Sequence, residues 1–351
     1  MLPKTNTTRI FLTGATGYVG GEVLYTLVKS GFDASQITLL IRDAAKAEQV
    51  KAAYPGVGIC VSDLDDVQTV KREASSVNIV LNLASTSHAT SAKAIAEGLQ
   101  DQARKTSSPG YWIQISGATC YAADEIASGK FGYRSDAIYD DVKDKDTILS
   151  TLRNNPKRTV ENTVLSQPTY AVKTALIIGP LIYGVGRGPS HRRSIQAPEI
   201  AKSTINLKHA FKLNDGKNIW SNIHVQDLAN LVHLLVSAAQ QGETGMWNDD
   251  GVYNVENGKM TFEQLNTTIA NEAHKQGAIR KDAAAHTETI DAAKADSLSS
   301  HAAVLWGTNA RTRASKARQV LNWSPSGVSL VDTIPDLVRR EAEAWKANPG
   351  N

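Results

Sequence analysis

Cysteine is nearly absent from this 351-residue chain, which has two, Cys60 and Cys120, each in or beside a strand-like run. Two thiols so placed argue against a disulfide framework and fit a reducing compartment. No apolar run approaches the roughly 18 residues that a membrane span requires. The opening MLPKTNTTRI lacks the apolar core of a secretion signal. An excess of one charge is also lacking. The 38 Lys and Arg oppose 35 Asp and Glu for a net +3, which points to neither nucleic acid nor a membrane surface. HExxH, paired CxxC and EF-hand spacings do not occur, so no metal is expected. GxSxG is missing, and IQISGAT is no nucleophile elbow. These exclusions leave an ordinary globular chain, expected in the cytoplasm, long enough for a large core and one or two domains.

Short apolar runs recur along it: RIFLT, ITLLI, GICVS, VNIVLNLA, YWIQIS, AVKTALIIG and SNIHV. Several are apolar at consecutive positions, as strands buried on both faces should be. Helix-like segments lie between them. After Gly17, the residues Val19, Val23, Leu24, Leu27 and Val28 share one helical stripe, and SAKAIAEGLQDQA and PKRTVENTVL are similarly spaced. Alternating strands and helices predict an α/β fold, a Rossmann-type doubly wound parallel sheet with helices on both faces. The pattern loosens after about residue 180, where YGVGRGPSHRRS reads as loop. Thr261 and Gln264 stand at capping-box spacing and predict a helix start. The Ala-rich DAAAHTETIDAAKADS is expected to be helical in part, and the polar stretch 123–146 to be a long exposed loop. The expected division is a nucleotide-binding domain of residues 1–180 plus 219–256, and a smaller discontinuous substrate lobe of residues 181–218 plus 257–351.

The most informative stretch is TGATGYVG, with Gly14, Gly17 and Gly20 directly after a strand and opening a helix. The first glycine permits the tight turn, the second lets a pyrophosphate approach the backbone, and the third lets helix and strand pack closely. The helix N-terminus then offers free N–H groups and a partial positive charge. Gly14, Thr16, Gly17, Tyr18, Val19 and Gly20 are therefore expected to bind the pyrophosphate of a dinucleotide. An acidic residue ending the second strand would select a ribose 2′-hydroxyl, an Arg a 2′-phosphate. Arg42 ends ITLLIRD, 22 residues past Gly20, and predicts NADP rather than NAD. The alternative is that Arg42 merely caps the strand or pairs with Asp43.

These residues resemble the extended and atypical short-chain dehydrogenase/reductase superfamily, the group of nucleoside-diphosphate-sugar epimerases and their relatives, over nearly the whole chain. TGATGYVG resembles its TGxxGxxG. VSDLDD resembles the third-strand Asp-Leu, which implies Asp63 and Leu64 at the adenine. LNLAS resembles the stretch after the fourth strand that runs along the cofactor, here Leu83, Ala84 and Ser85. NIHVQDLANL resembles HVxDLA, which implies that His224 orders a strand–helix junction, and VYNVENGKMTFEQL and ASKARQVLNWSP resemble the C-terminal segments of the substrate lobe. The resemblance further implies a catalytic Tyr, a Lys four residues later that lowers its pKa and holds the nicotinamide ribose, and a Ser or Thr that fixes the substrate.

That set departs from the pattern here. Lys157 and Glu161 keep the Lys-to-Glu spacing of YxxxKxxxE, but Arg153 stands where the Tyr should, and a guanidinium cannot act as a base. Gly117 occupies the usual hydroxyl position, with Ser116 one before it and Thr119 two after. A literal YxxxK occurs at Tyr139 and Lys143, 23 residues after Ser116. His88, in ASTSHAT, is a further proton carrier expected near the nicotinamide. Arg187, His191, Arg192 and Arg193 form a basic cluster that either binds a substrate carboxylate or phosphate or is simply a solvated loop. The catalytic candidates are thus Ser116, Thr119, Tyr139, Lys157 and His88, with Lys157 also a cofactor ligand. The expected function is an NADP(H)-dependent oxidoreductase acting on a small carbonyl or alcohol substrate. The alternatives are an NADP-binding redox sensor without turnover, and an isomerase or lyase using the dinucleotide as scaffold. Family relatives often pair through two helices, so the resemblance also implies a homodimer.

Overall fold

The computed structural model describes residues 8–280 and 286–347. The first residues of MLPKTNTTRI, and the residues of the Ala-rich stretch up to 285, lie outside them. Among the described residues no helix is long and apolar enough to cross a membrane.

The chain begins as the alternation of runs predicts. β1 (Ile10–Thr13) leads through the glycine turn into α1 (Tyr18–Lys29), and β2 (Ile37–Ile41) into α2 (Ala44–Ala53). β3 (Gly58–Val61), α3 (Val67–Ala74), β4 (Ile79–Asn82), α4 (Ala89–Thr106) and β5 (Gly110–Gly117) follow. Then come α5 (Ala123–Ser128), β6 (Tyr139–Asp140), α6 (Lys145–Arg153), α7 (Thr159–Leu165), β7 (Val172–Gly179) and β8 (Leu181–Tyr183). α8 (Gln196–Leu207), β9 (Ala210–Leu213), β10 (Ile219–His224), α9 (Val225–Gln241), β11 (Val252–Asn254), β12 (Gly258–Thr261) and α10 (Phe262–Lys275) complete the middle. The C-terminal part holds β13 (Thr287–Ile290), the Ser315–Leu321 helix and the terminal helix Leu330–Ala347.

Seven strands form one sheet in the order β11-β7-β5-β4-β1-β2-β3, and its pairings are parallel. Buried parallel strands must present carbon to both faces. Phe11, Val80 and Trp112 accordingly enter one core, which continues into the lobe through Ile200, Phe211, Leu265 and Trp306. Ile10, Leu12, Leu81 and Ile113 enter the other, with Leu24 of α1 and Val232 of α9. The order reverses between β1 and β4, and a crevice outside the strand ends at such a point is where doubly wound sheets take ligands. The Thr13 hydroxyl donates to Asn82 Oδ1 (2.6 Å), and Asn82 Nδ2 to Gln114 Oε1 (2.7 Å), a buried chain that ties β1, β4 and β5 together there.

One expectation needs correction. The stretch 123–146 is not one exposed loop but contains α5, β6 and the start of α6. Its acidity misleads, because Asp140 and Asp141 are buried. Asp141 accepts from the amides of Asn254 (2.9 Å), Ser315 (2.8 Å) and Lys316 (2.9 Å). The Ala-rich stretch is helical in part, as expected, at Ala292–Leu298, while TETI is a strand paired with β9. Ile219–His224, grouped above with the nucleotide-binding unit, forms a separate three-stranded sheet with β8 and β12. The helix after it, α9, packs on α1. Ala314, Ala317 and Trp323, grouped above with the lobe, share the core of β1 and α9. The capping box at Thr261 and Gln264 forms with both of its bonds in place.

Candidate functional site

A groove of about 390 Å³ opens at the ends of β1, β2, β3 and β4, lined by Thr13, Gly14, Thr16, Gly17, Arg42, Asp63, Leu64, Leu83, Ala84 and His88 among others. Its geometry follows from two glycines. Gly14 has φ +85°, and a Cβ there would lie 2.7 Å from the Ala84 amide nitrogen. A Cβ on Gly20 would stand 2.1 Å from the Gly14 carbonyl oxygen. Without side chains, the turn presses against β4 and folds onto its own helix. α1 then begins at Gly17 with no side-chain cap and no acidic residue in its first turn. Uncapped first-turn N–H groups and the positive end of a twelve-residue helix suit a diphosphate.

Arg42 stands on the groove wall where β2 ends. It makes no salt bridge with any described residue. Asp43, the partner considered for it, is otherwise engaged: its carboxylate caps α2 by accepting from the Lys46 amide (3.1 Å). Asp63 and Leu64 line the β3 side and Leu83 and Ala84 the β4 side. The Ser85 hydroxyl accepts from the Ser87 amide (3.2 Å). Val19 lies in the first turn of α1. Tyr18 differs from expectation, since its side chain turns away and donates its hydroxyl proton to the Gly184 carbonyl (2.8 Å), leaving only its amide for a phosphate.

The catalytic candidates do not assemble as one set. The Ser116 hydroxyl, buried, donates to Glu161 Oε1 (2.7 Å). Arg158 bridges the rest, its Nη1 reaching the same Glu161 oxygen (3.3 Å) and its Nη2 donating to Thr119 Oγ1 (3.0 Å). Lys157, expected to hold the ribose, is exposed on the turn before α7, its amide bonded to Asn155 Oδ1 (3.0 Å). The reason is local. α6 ends at Arg153 and α7 starts at Thr159, so positions 153 and 157 do not share one helix, and their spacing no longer puts both on one face. Arg158 is the functional-looking residue the sequence reading passed over. Its spacing of three to Glu161, with both on an apolar-striped segment, was the available signal.

Tyr139 and Lys143 fail for a similar reason, since Tyr139 lies in β6 and Lys143 on the exposed turn that follows. The Tyr139 ring stacks on Tyr121 with centroids 4.2 Å apart, and burial raises its pKa, against what a base needs. His88 lines the groove on its Asp65 side. Its Nδ1 accepts from the Ser91 amide (3.2 Å) as the cap of α4, and Nε2 faces Asp65 Oδ1 (3.1 Å). His224 caps α9 as expected, its Nδ1 accepting from the Gln226 amide (3.3 Å).

Two arginines of the basic loop are not free for an anion. Arg187 is held by the buried Glu22, which accepts from its amide (2.6 Å) and its Nε (2.8 Å). Arg193 is held by Glu341 (2.8 Å) and Glu199 (2.6 Å). The loop instead lies over the glycine turn, with the His191 amide on the Thr16 carbonyl (3.2 Å) and Gln49 Nε2 on the Pro189 carbonyl (2.8 Å).

This crevice, turn and uncapped helix define a dinucleotide-binding protein of the doubly wound class. A family model described as NAD(P)H-binding matches residues 14–165. Along 96% of this chain and 98% of its own length, an Acremonium protein named oxidase ucsJ is 34% identical. An uncharacterized Saccharomyces cerevisiae protein, YLL056C, is 32% identical over 75 residues, covering 21% of this chain and 24% of its own. Among solved structures, UDP-glucose 4-epimerase of Thermotoga maritima has a TM-score of 0.61 at 15% identity, covering 96% of this chain and all of its own. The dTDP-glucose 4,6-dehydratase DesIV of Streptomyces venezuelae, with NAD bound, reaches 0.62 at 15% identity over 98% of both chains. The chain belongs to the same family as the Acremonium oxidase ucsJ, and its fold is that of the NAD(P)-binding epimerases and dehydratases.

Proposed function

We propose that the chain is an NADP(H)-dependent oxidoreductase acting on a small carbonyl or alcohol. The observation that carries the cofactor half is Arg42, a guanidinium on the groove wall with no described carboxylate to neutralise it. Planar guanidinium forks bind phosphates through paired charge-assisted bonds. The α1 amides hold the diphosphate, and Arg42 holds the 2′-phosphate. When bound, the nicotinamide supplies or accepts the hydride. The Acremonium relative is named an oxidase, which supports redox chemistry.

For the substrate oxygen the chain offers Thr119 rather than Ser116. Ser116 is buried and spends its proton on Glu161, whereas Thr119 is partly exposed and accepts from Arg158. The Thr119 hydroxyl therefore keeps its own proton to donate, beside a positive charge that stabilises developing negative charge on a carbonyl oxygen. Tyr139, with its raised pKa, is at most a proton donor.

The rival reading, a sensor that binds NADP(H) without turnover, is favoured by the missing Tyr–Lys pair on α7. Purified protein is given NADPH with a broad panel of carbonyls, or NADP+ with a panel of alcohols, while absorbance is followed. Consumption that falls steeply in Thr119→Val marks the oxidoreductase. Tight binding without consumption marks the sensor. Substrate conversion with no net change in NADPH marks an isomerase or lyase. Calorimetric indifference to both nicotinamide dinucleotides would overturn all three.

A further inference from the structure

A second cavity, of about 550 Å³, lies between the loop after β8, the start of α8 and the terminal helix Leu330–Ala347. It shares no lining residue with the nucleotide groove. Its volume is in the range of small-molecule sites, roughly 300–1,000 Å³. Carbon dominates its walls, supplied by Tyr183, Pro198, Leu330 and Leu337 among others.

The polar groups around it are unbalanced in one direction. Each lining carboxylate already has a partner. Glu341 accepts from Arg193 (2.8 Å), Asp336 from Arg339 (2.5 Å) and Arg340 (2.6 Å), and Asp332 from the Ser329 hydroxyl (2.6 Å). Three lining groups keep unmatched donors: Arg192, His224 and Arg340, whose Nε alone is spent, on Asp336. Arg192 spends only its Nε, on the Gly186 carbonyl (2.5 Å), and no described carboxylate meets its two terminal nitrogens. His224 is 7% exposed, and because Nδ1 accepts from the Gln226 amide, the ring proton sits on Nε2, which has no described acceptor. Arg192 is exposed at the mouth and His224 is buried in the wall. A cavity with carbon walls and an arginine at its mouth whose terminal donors meet no described carboxylate suits a ligand with an apolar body and an anionic acceptor.

We infer that this cavity binds a small amphipathic carboxylate, its carboxylate on Arg192 and its apolar body against Leu330 and Leu337. The inference does not depend on the cofactor reading, because the two sites are separate. Octanoate is the test probe and 1-octanol its neutral control, titrated calorimetrically into the full-length protein. Octanoate should bind one to one and at least about tenfold more tightly than octanol, the factor expected of a single charge-assisted contact. Leu337→Trp, which fills the cavity, should abolish binding, and Ala344→Phe should do so from the other wall. Arg192→Met should remove the preference over octanol while leaving the weaker apolar binding. Retained thermal unfolding midpoints show that each variant folds. If octanoate shows no saturable binding, or binds both filled variants as it binds the parent, the inference is overturned.

Discussion

Single residues carry the sharpest consequences. On the proposed reading Arg42 meets the 2′-phosphate, so Arg42→Ala should weaken NADPH by roughly tenfold or more while changing NADH little. Paired calorimetric titrations measure both affinities, and an equal loss for the two would remove the 2′-phosphate assignment. Glu161 is buried and joins Ser116 to Arg158. Glu161→Gln leaves a guanidinium with 17% side-chain exposure without its counter-charge. Breaking such a pair from one side costs about 2–4 kcal/mol, which urea unfolding of the variant should show. Replacing both, as Glu161→Leu with Arg158→Met, should recover part of that loss, because no unpaired charge remains.

Elements are held to one another by backbone groups that meet one carboxylate. Asp227, in the first turn of α9, accepts from the amides of Ser326 (2.9 Å) and Gly327 (3.0 Å), and its carbonyl accepts from Trp323 Nε1 (3.0 Å). This is what the HVxDLA-like segment does here: it pins the chain just before the terminal helix to the nucleotide-binding core. Asp227→Ala should cost about 1–3 kcal/mol through two stranded amides. Hydrogen exchange should speed up at Ser326 and Gly327 before it does so in β1 or β4. The same scale explains the loop over the glycine turn, where Glu22 of α1 anchors Arg187. Two of the loop's four basic residues, Arg187 and Arg193, are held by carboxylates of neighbouring elements, while Arg192 gives only its Nε to a carbonyl of the loop itself.

At the scale of the whole molecule, Asp141 joins β6, β11 and the helix Ser315–Leu321. Burial pushes its pKa up from 3.8 to about 6, against the lowering effect of its three amide donors. The folded protein therefore holds this proton more tightly than the unfolded chain does. Its contribution to stability is complete below the unfolded value and declines as pH rises through about 6, by ~3 kcal/mol for a shift of that size. Asp141→Asn removes the titration. The stability of the parent minus that of the variant should thus fall between pH 4 and pH 6 and stay level above, as read by denaturant midpoints at each pH. A flat difference would contradict it.

The residues of TGATGYVG determine their own function in sequence. A backbone turn with φ near +85° at Gly14, and a helix that starts uncapped at Gly17, are set by a dozen contiguous residues, and amides bind a diphosphate whatever lies elsewhere. The strand runs were legible on the same ground, because burial on both faces leaves an unbroken apolar signature. The reacting half was not legible. Ser116, Thr119, Arg158 and Glu161 meet only where β5 and α7 pack together, and the identity of the inward cation depends on α7 starting at Thr159. One residue of offset put Lys157 in solvent and Arg158 inside. The second cavity lies further still from any motif, since its walls come from segments more than a hundred residues apart. Local backbone geometry is written in neighbouring residues, whereas the facing of side chains across elements is settled by packing.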